Sequence, residues 1–498
     1  MKKIKRYFSL CLIILALLFA CDCESGTKEQ NQDKKPVTSL KVLAINDVHG
    51  ALEPNDDTYS MPGLSWYVKQ QKKDETQAVL VLSAGDMFQG TALSNYSYGR
   101  NMVEAMNDVG FDAMTIGNHE FDWDIATVLA YHDGNPDNGE ALYDLITCNI
   151  YEKAKNQLMG GVKPYAFFDY GTFQVGVIGY MGMGIETDIA ASKVDPYEFV
   201  DPVPLISKYA KELHQKGADF VIAMGHDASE ATDVRIAALS GDEAVDYIIN
   251  AHTHAVYTRT MTNGNGNTIP VTQAGTACRY VTSTHYDFDQ TKNQFKEYDQ
   301  MKNIDLGGLD IYMDEALKSK IANMAKEIEP IMSEVLAVAS RNVTRSSVSI
   351  WAADAIMASV PCDLAIINSG GIRNSAFPIY ENQNVDVKKM YEIMPFDNLV
   401  KTATYTGAEL LNILRINDVV YSSNIRPSGS TFVFVDGENI TPIDPEANYL
   451  LACVDYLFDR EAIIYNEGDN IQIVQYLVRD IMIDCLREFG VSGEHWLA

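Results

Sequence analysis

The sequence predicts a layered α/β fold in two successive parts, and three observations support this. A chain of 498 residues with 47% hydrophobic content is too long for one ordinary domain and can bury large cores. From Leu40 onward, short apolar runs alternate with amphipathic stretches, which is typical of α/β layers. This pattern changes near Asp305 and resumes near Val343. We therefore expect an α/β sandwich followed by a smaller α/β domain.

The first residues are typical of an export signal. Basic residues within positions 2–6 precede an apolar run from 7 to 20, which is shorter than most membrane spans. Residues 1–20 are therefore predicted as a signal peptide and 21–38 as a disordered tether. The word LFAC resembles a bacterial lipobox, which implies a lipid on Cys21 and a place in the cell envelope. A membrane span, or cleavage that releases a soluble protein, remains an alternative.

The net charge limits the class of ligand. The formal charge is -29, and polyanion binding depends mainly on Lys and Arg. We therefore expect no nucleic-acid polymer as a partner, and no protein partner is predicted. Small phosphate esters stay possible if metal ions supply the local positive charge.

The first part, residues 39–305, contains six predicted strands and two clear helices. The helices, at 101–109 and 205–215, end next to Gly110 and Gly217, which suit helix C-termini. The predicted strands are 40–45, 78–83, 113–116, 175–180, 220–224 and 245–249.

A connector and a second α/β region follow. Residues 306–342 are predicted as the connector, with a long helix over 309–339. The second domain, 343–498, is predicted to contain a helix at 348–359, a strand at 363–367 and a terminal helix at 471–489.

Five predicted strands are followed by side chains that can bind a metal. Because ligands bind at the carboxyl ends of strands in open α/β sheets, we expect these side chains to form one site. Each one alone is more typical of a turn or a helix cap. Together they mix carboxylate, amide and imidazole groups, which suit two divalent ions such as zinc, manganese or iron. The side chains are Asp47, His49, Asp86, Asn118, His226, His252 and His254.

The words DVHG, GDMFQG, GNHEFD, GHD and AHTH resemble those of calcineurin-like metallophosphoesterases. The longer words GNHEFDW and NSGGIRNS resemble, more narrowly, the 5'-nucleotidase and UDP-sugar hydrolase family. The resemblance extends from Leu40 to the C-terminus. It implies a two-metal hydrolase acting on phosphate esters of nucleotides outside the cytoplasm.

The resemblance also implies roles for individual residues. One metal would be held by Asp47, His49 and His254, and the other by Asn118, His226 and His252, with Asp86 bridging both. Two such ions lower the pKa of a shared water for in-line attack on phosphate. The counterpart of His119 stabilises the developing charge or protonates the leaving group, and Asp122 orients it. For Asp122, a helix-start cap is the alternative.

The second domain carries the words that imply substrate binding. In NSGGIR, a glycine turn precedes Arg373, whose guanidinium can grip a phosphate with two hydrogen bonds. MPFDN resembles a further family word that places Asn398 near the substrate, although a loop-stabilising role is the alternative. The substrate residues that the resemblance implies are Asn368, Gly370, Gly371, Arg373, Asn398 and Asp469.

The chain departs from the family at the nucleobase. Relatives stack the base between two Phe residues, but local spacing puts Asn424 and Ile463 at those positions. Stacking on a base is worth about 1–3 kcal/mol, so losing both clamps weakens the prediction of a nucleotide substrate. Tyr421, Phe432, Phe458 and Tyr465 are candidate replacements. A 2',3'-cyclic nucleotide, a UDP-sugar or a non-nucleotide ester therefore stays an alternative substrate, and an inactive ligand-binding lipoprotein is the second alternative.

Overall fold

The protein is described by a computed structural model covering residues 35–296, 298, 300–308, 310–460, 463–464 and 468–489. Almost all of this chain belongs to one compact unit that begins at Val37. The predicted signal peptide, most of the predicted tether and Cys21 lie outside the described residues. In the part of the chain that the structure describes, no helix is both long and apolar enough to cross a membrane.

Two mixed sheets form the first part of the fold. The strands of the first sheet lie in the order Gln294–Phe295, Tyr280–Asp289, Ser39–Ile45, Gln77–Ser83, Ala113–Thr115 and Asp144–Ile146, and Gln300–Asp305 also pairs with Tyr280–Asp289. Those of the second lie in the order Val256–Thr262, Thr268–Ala274, Tyr247–Ile249, Phe220–His226, Gln174–Met181 and Tyr165–Asp169. A small third sheet contains Gln157–Leu158, Ile150–Glu152 and Tyr197–Phe199.

The two large sheets pack face to face because their central strands carry apolar residues on both faces. Val42 and Leu80 of the first sheet share one buried cluster with Val177 and Ile222 of the second. Helices cover both outer faces, so the predicted α/β sandwich is confirmed. The helices of this part are Ser60–Gln71, Ala92–Asn95, Arg100–Val109, Ile125–Ala130, Ala191–Val194, Pro202–Gln215 and Glu230–Ala237.

A second, smaller α/β part follows, as the sequence predicts. Its five-stranded sheet has the order Val419–Tyr421, Leu364–Asn368, Asn448–Val454, Leu399–Thr406 and Asp469–Leu477. Val335–Val338 pairs with Asn384–Asp386, and a three-stranded sheet contains Ile425–Ser428, Thr431–Asp436 and Asn439–Pro442. Beyond residue 305, the described helices are Glu315–Met332, Arg345–Ser359, Val387–Ile393, Gly407–Ile413, Asp455–Arg460 and Val478–Phe489.

Two predicted helices are wrong in part. The helix predicted over 309–339 spans only Glu315–Met332, because the Asp314 side chain caps its start and the following Val335–Val338 pairs as a strand. The predicted terminal helix at 471–489 begins with the strand Asp469–Leu477, which pairs with Leu399–Thr406. The β-branched residues in this stretch favour a strand. The domain boundaries at 305 and 343 stay predictions.

Candidate metal centre and substrate cavity

The five predicted strand ends meet at one edge of the sandwich. In each large sheet the strands that carry them run parallel, so their carboxyl ends lie on the same side. The second sheet contributes His226 at the end of its own strand, and His252 and His254 just after the next one. The structure thus brings all seven predicted ligand residues together in two adjoining groups, and a third group of His49, Asp86 and His119 overlaps both.

The first group contains Asp47, His49 and His254. The Nε2 atoms of the two histidines are 3.0 Å apart, and the Asp47 Oδ1 atom lies 3.6 Å from His254 Nε2. The other oxygen of Asp47 accepts hydrogen bonds from the Asn46 side chain and the His252 backbone. Oδ1 is buried without a hydrogen-bond partner. An orphaned buried carboxylate oxygen beside two imidazole nitrogens is what a divalent cation would satisfy.

The second group contains Asp86, His226 and His252, and Asn118 joins it. Asn118 Oδ1 lies 3.0 Å from His226 Nε2 and 3.1 Å from His252 Nδ1. Asp86 Oδ2 is 3.2 Å from His226 Nε2. Asp86 also lies within reach of His49 of the first group. The shared carboxylate suits the bridging role that the family resemblance implies.

Hydrogen bonds orient two of the imidazoles toward the proposed ions. The Nδ1 atoms of His49 and His226 lie 3.2 and 2.8 Å from the backbone carbonyls of Gln89 and Ala84. A carbonyl only accepts, so Nδ1 carries the proton and Nε2 faces the ligand group. Burial lowers the pKa of His49 to about 3, which keeps it neutral. Neutral imidazole is the form that binds metal.

The charges around His226 also favour a cation. Burial lowers the pKa of this imidazole, but the Asp86 charge and hydrogen bond outweigh burial and raise it to about 10. Burial also raises the pKa of Asp47 to about 7, and the nearby Asp86 charge adds to this rise. Positive charge among these oxygens is therefore stabilising.

The backbone is strained at the same positions. Asp47, His49, Asp86, His252 and His254 all have positive φ values, between 50° and 72°. This left-handed region is unfavourable for residues with a side chain, and such strain is typical of functional sites. Holding these five side chains in this orientation therefore lowers the stability of the local fold.

Glu120 fixes the loops beneath the ligands. Its buried carboxylate accepts three backbone hydrogen bonds at 2.7–2.9 Å, from Asp86, Met87 and Gly117. Gly117 in turn packs against the Asp86 carboxylate, since an added Cβ would lie 2.2 Å from Asp86 Oδ1. This position requires glycine because of the close approach.

Replacing Gly117 with alanine is expected to displace Asp86 and weaken metal binding by about 10- to 100-fold, the usual cost of disturbing a ligand's support. The measurement is a manganese titration of the metal-free protein. Gly160→Ala is a matched control, because its added Cβ would meet only the end of the Glu152 side chain. Equal affinity in both variants would contradict this role for Gly117.

His119 and Asp122 form a pair beside the metal groups. His119 Nδ1 lies 2.8 Å from Asp122 Oδ2, and its backbone N–H donates to Asp86 Oδ1 at 2.9 Å. Burial lowers the pKa of His119, but the charges of Asp122 and Asp86 outweigh it and raise the value to about 9. Because Asp122 holds Nδ1, the Nε2 atom is the one available to a substrate.

A cavity of about 290 Å³ opens over this centre. Residues of both parts of the fold line the cavity. A ligand inside it would therefore contact the candidate metal ligands of the first part and residues of the smaller second part. The predicted site residues among its walls are Asp86, Asn118, His119, Asp122, His252, His254, Asn368, Gly370, Arg373 and Asn398.

Arg373 has an orientation suited to an anion. Its guanidinium carbon lies 4.5 Å from the centre of the Phe396 ring, which is nearly parallel to His119 at 6.0 Å. Among the described residues, no hydrogen bond is found from the Arg373 side chain to a protein acceptor. Arg345 supports the turn by donating to the carbonyls of Ile372 and Ser369. With respect to the described part of the chain, the donors of Arg373 are thus available to a phosphate.

Some predicted residues lie elsewhere. Gly371 is buried behind the turn against Asn368. Asp469 is exposed at the start of its strand and does not line the cavity, so its substrate role stays a prediction that the geometry does not support. Asn424 donates to the Asp363 carbonyl and Ile463 is exposed, and neither is among the residues that line the cavity.

Three of the four candidate aromatic replacements, Tyr421, Phe432 and Phe458, do not line the cavity either. Tyr421 and Phe432 pack against each other, and Phe458 lies in the core. Tyr465 lies outside the described residues. The base clamp of the family is therefore absent from the described walls.

Sequence reasoning missed Tyr456, Phe396 and Asp188, which all line the cavity. Tyr456 follows the strand Asn448–Val454, which runs parallel to Leu364–Asn368. The rule of strand ends that located the ligands would have located Tyr456 as well. Asp188 lies 3.4 Å from His252 Nε2, a contact that no local pattern signals.

Known proteins match both parts of the chain. Residues 40–256 match the calcineurin-like phosphoesterase family, and residues 320–463 match the C-terminal domain of 5'-nucleotidases. The snake venom 5'-nucleotidase of Crotalus adamanteus is 26% identical over 416 residues, which cover 74% of this chain and 68% of that protein. A cell wall protein of Listeria monocytogenes, Lmo0130, is 22% identical over 502 residues, covering 84% of this chain and 63% of that protein.

A solved structure matches nearly the whole fold. The 5'-nucleotidase precursor of Thermus thermophilus superposes with a TM-score of 0.71 and 21% identity, covering 91% of this chain and 97% of that one. At this identity the match concerns the fold.

Proposed function

The chain belongs to the family that joins a calcineurin-like phosphoesterase domain to a 5'-nucleotidase C-terminal domain, and on that premise we propose that it hydrolyses phosphate esters of nucleotides outside the cytoplasm. Membership makes it a metal-dependent phosphoesterase. One observation carries the proposal: two ligand groups, linked by Asp86 of the second group and His49 of the first, border a cavity in which Arg373 has no protein hydrogen-bond acceptor among the described residues.

The two ligand groups are proposed to hold one divalent ion each, with zinc, manganese and iron as candidates. Asp47, His49 and His254 would hold the first ion. Asn118, His226 and His252 would hold the second, with Asp86 shared. When bound, such ions supply an activated water and neutralise charge on the phosphate oxygens.

The chain's own residues then position and protonate the substrate. Arg373 can bind two phosphate oxygens at once, which fixes the reacting group over Asp86. His119 Nε2 can give its proton to the leaving oxygen, while Asp122 holds Nδ1 and the orientation of the ring. Asn368, Gly370 and Asn398 are proposed to contact the rest of the substrate, with Tyr456 as an aromatic wall.

Replacing Arg373 with alanine is expected to lower kcat/KM for AMP by about 10- to 100-fold, since hydrogen bonds to charged groups contribute about 1.5–3 kcal/mol. Metal content should not change. Steady-state phosphate release measures the effect, and Arg415→Ala, an exposed arginine of the same half, is the matched control. A loss below threefold would show that Arg373 does not bind the phosphate.

A second candidate keeps the same centre but takes another ester. The absence of aromatic side chains at Asn424 and Ile463 favours a 2',3'-cyclic nucleotide, a UDP-sugar or a non-nucleotide phosphate ester. Base stacking is worth about 1–3 kcal/mol per base, so a pocket without the clamp discriminates bases weakly.

Phosphate release with manganese or zinc from AMP, UMP, UDP-glucose, 2',3'-cyclic AMP and p-nitrophenyl phosphate separates the candidates. A nucleotide preferred over p-nitrophenyl phosphate supports the first proposal. Preference for the cyclic ester, UDP-glucose or p-nitrophenyl phosphate supports the second. No release with any metal would support an inactive ligand-binding lipoprotein instead.

We also propose the location and organisation that the sequence predicts. Residues 1–20 would direct export, Cys21 would carry a lipid, and the chain would face the periplasm or the cell surface of a bacterium. The metal-binding domain would span 39–305, the connector 306–342 and the substrate domain 343–498. Mass spectrometry of the N-terminal peptide from membranes tests the lipid, and an unmodified Cys21 would contradict it.

A further inference from the structure

The cavity loop Met394–Asn398 is held from both parts of the fold. It carries Phe396, whose ring contacts Arg373 and lies along His119. From the second part, the buried Arg479 donates to three consecutive carbonyls of this loop and pairs with Asp397. From the first part, two side chains reach the same loop at a single atom.

That atom is the carbonyl oxygen of Pro395. Gln89 Nε2 donates to it at 3.1 Å and Asn95 Nδ2 at 2.8 Å, in addition to Arg479 Nη1 at 3.2 Å. Gln89 is fully buried and Asn95 nearly so. Bonds of this kind, made without competing water, fix the loop against the metal-binding half.

Gln89 also touches a candidate metal ligand, through its backbone. The His49 Nδ1 atom lies 3.2 Å from the Gln89 carbonyl oxygen. The neighbouring Gly90 packs on the same histidine, since an added Cβ would lie 2.1 Å from the His49 carbonyl oxygen. One residue therefore joins an imidazole of the first ligand group to the loop that carries Phe396.

We propose that Gln89 is a positioning residue that couples metal binding at His49 to the seating of the loop Met394–Asn398. A bound ion orders the His49 ring, the ring orders the Gln89 backbone, and the Gln89 amide orders Pro395. Gln89 itself is not one of the residues that line the cavity. The coupling rests on the proposed metal binding at His49 but not on the proposed substrate or reaction.

The coupling is measured without substrate, by amide hydrogen exchange of peptides covering residues 390–399, with and without manganese. Wild-type protein is expected to exchange more slowly in this loop when manganese is added. Gln89→Leu removes the donor and keeps a similar volume. Since a neutral hydrogen bond contributes about 1 kcal/mol, the metal-induced protection should fall by about fivefold.

Reciprocity adds a second readout. If the metal stabilises the seated loop, the seated loop strengthens metal binding by the same factor, so Gln89→Leu should bind manganese about fivefold more weakly although the carbonyl that contacts His49 is kept. Gln89→Met, which also lacks the donor, should give the same result if leucine disturbs folding.

Gln77→Leu is the matched control. Gln77 donates to the backbone of Gln71 and begins the strand whose other end leads to Asp86, roughly 20 Å away along the strand. It should keep both the protection and the affinity. Equal metal-induced protection in Gln89→Leu and wild type would overturn the proposal, whatever substrate the enzyme takes. Intact coupling together with no phosphate release would instead count against the proposed function alone.

Discussion

Replacing His119 with alanine is expected to lower kcat by about 10² to 10⁴-fold, the usual contribution of a positioned proton donor. The ring lies beside the ligand groups, is held by Asp122 and faces the cavity with Nε2. It is not among the seven proposed ligands, so metal stoichiometry should stay at two ions per chain.

The matched control is His214→Ala, which removes a histidine from the helix Pro202–Gln215. Phosphate release under saturating substrate gives the effect on kcat, and elemental analysis gives the metal content. If His119→Ala keeps more than one tenth of the wild-type kcat, His119 is not the proton donor. Loss of metal in the same variant would instead make it a ligand.

Replacing Asp86 with asparagine is expected to abolish phosphate release, with a fall of roughly 10³-fold or more, because two ions contribute several kcal/mol to the transition state. Asparagine keeps the shape and the oxygen that accepts the His119 backbone N–H. It loses the charge that lies in the second ligand group and within reach of His49 of the first. The bound metal should fall from two ions to at most one.

Asp112→Asn is the matched control for this change. Asp112 is also a carboxylate that accepts a backbone hydrogen bond, from Val81. It lies just before the strand Ala113–Thr115, however, whereas Asp86 lies just after the strand Gln77–Ser83, at the edge of the sheet that carries the ligands. Two ions in Asp86→Asn would show that this carboxylate does not bridge. Full activity with a single ion would contradict the two-metal account.

The sequence predicted the fold class, and the predicted ligand residues lie together in the structure, because the relevant signals are local. Apolar runs of strand length define the two large sheets, and ligand residues follow directly after them. Asp47 lies two residues beyond the strand Ser39–Ile45, and Asn118 lies three beyond Ala113–Thr115. In a parallel sheet such positions must converge, so no long-range information was needed.

The predictions from sequence are wrong or incomplete where contacts between distant parts of the chain determine the local structure. The stretch Asp469–Leu477 becomes a strand because Leu399–Thr406 offers its edge, a partner that lies about 70 residues away. The contacts of Gln89 and Asn95 with Pro395 link positions about 300 residues apart. Spacing within one segment carries no information about such contacts.

The substrate side was predicted less well for a related reason. Arg373 and Asn398 reach the cavity, as the family words imply, but Asp469 does not. Family words report backbone turns reliably, because glycine and proline requirements are local. The wall of a cavity between two parts of a fold depends on how these parts pack. Asp188, whose contact with His252 no local pattern signals, therefore emerged only from the structure.

The most direct measurement is phosphate release from AMP while manganese is titrated into the metal-free protein. The two ligand groups, linked by Asp86 and His49, predict no release without metal, and a rise that reaches its plateau at two ions per chain. Release that survives chelation, or that reaches its plateau at one ion per chain, would contradict a two-metal phosphoesterase.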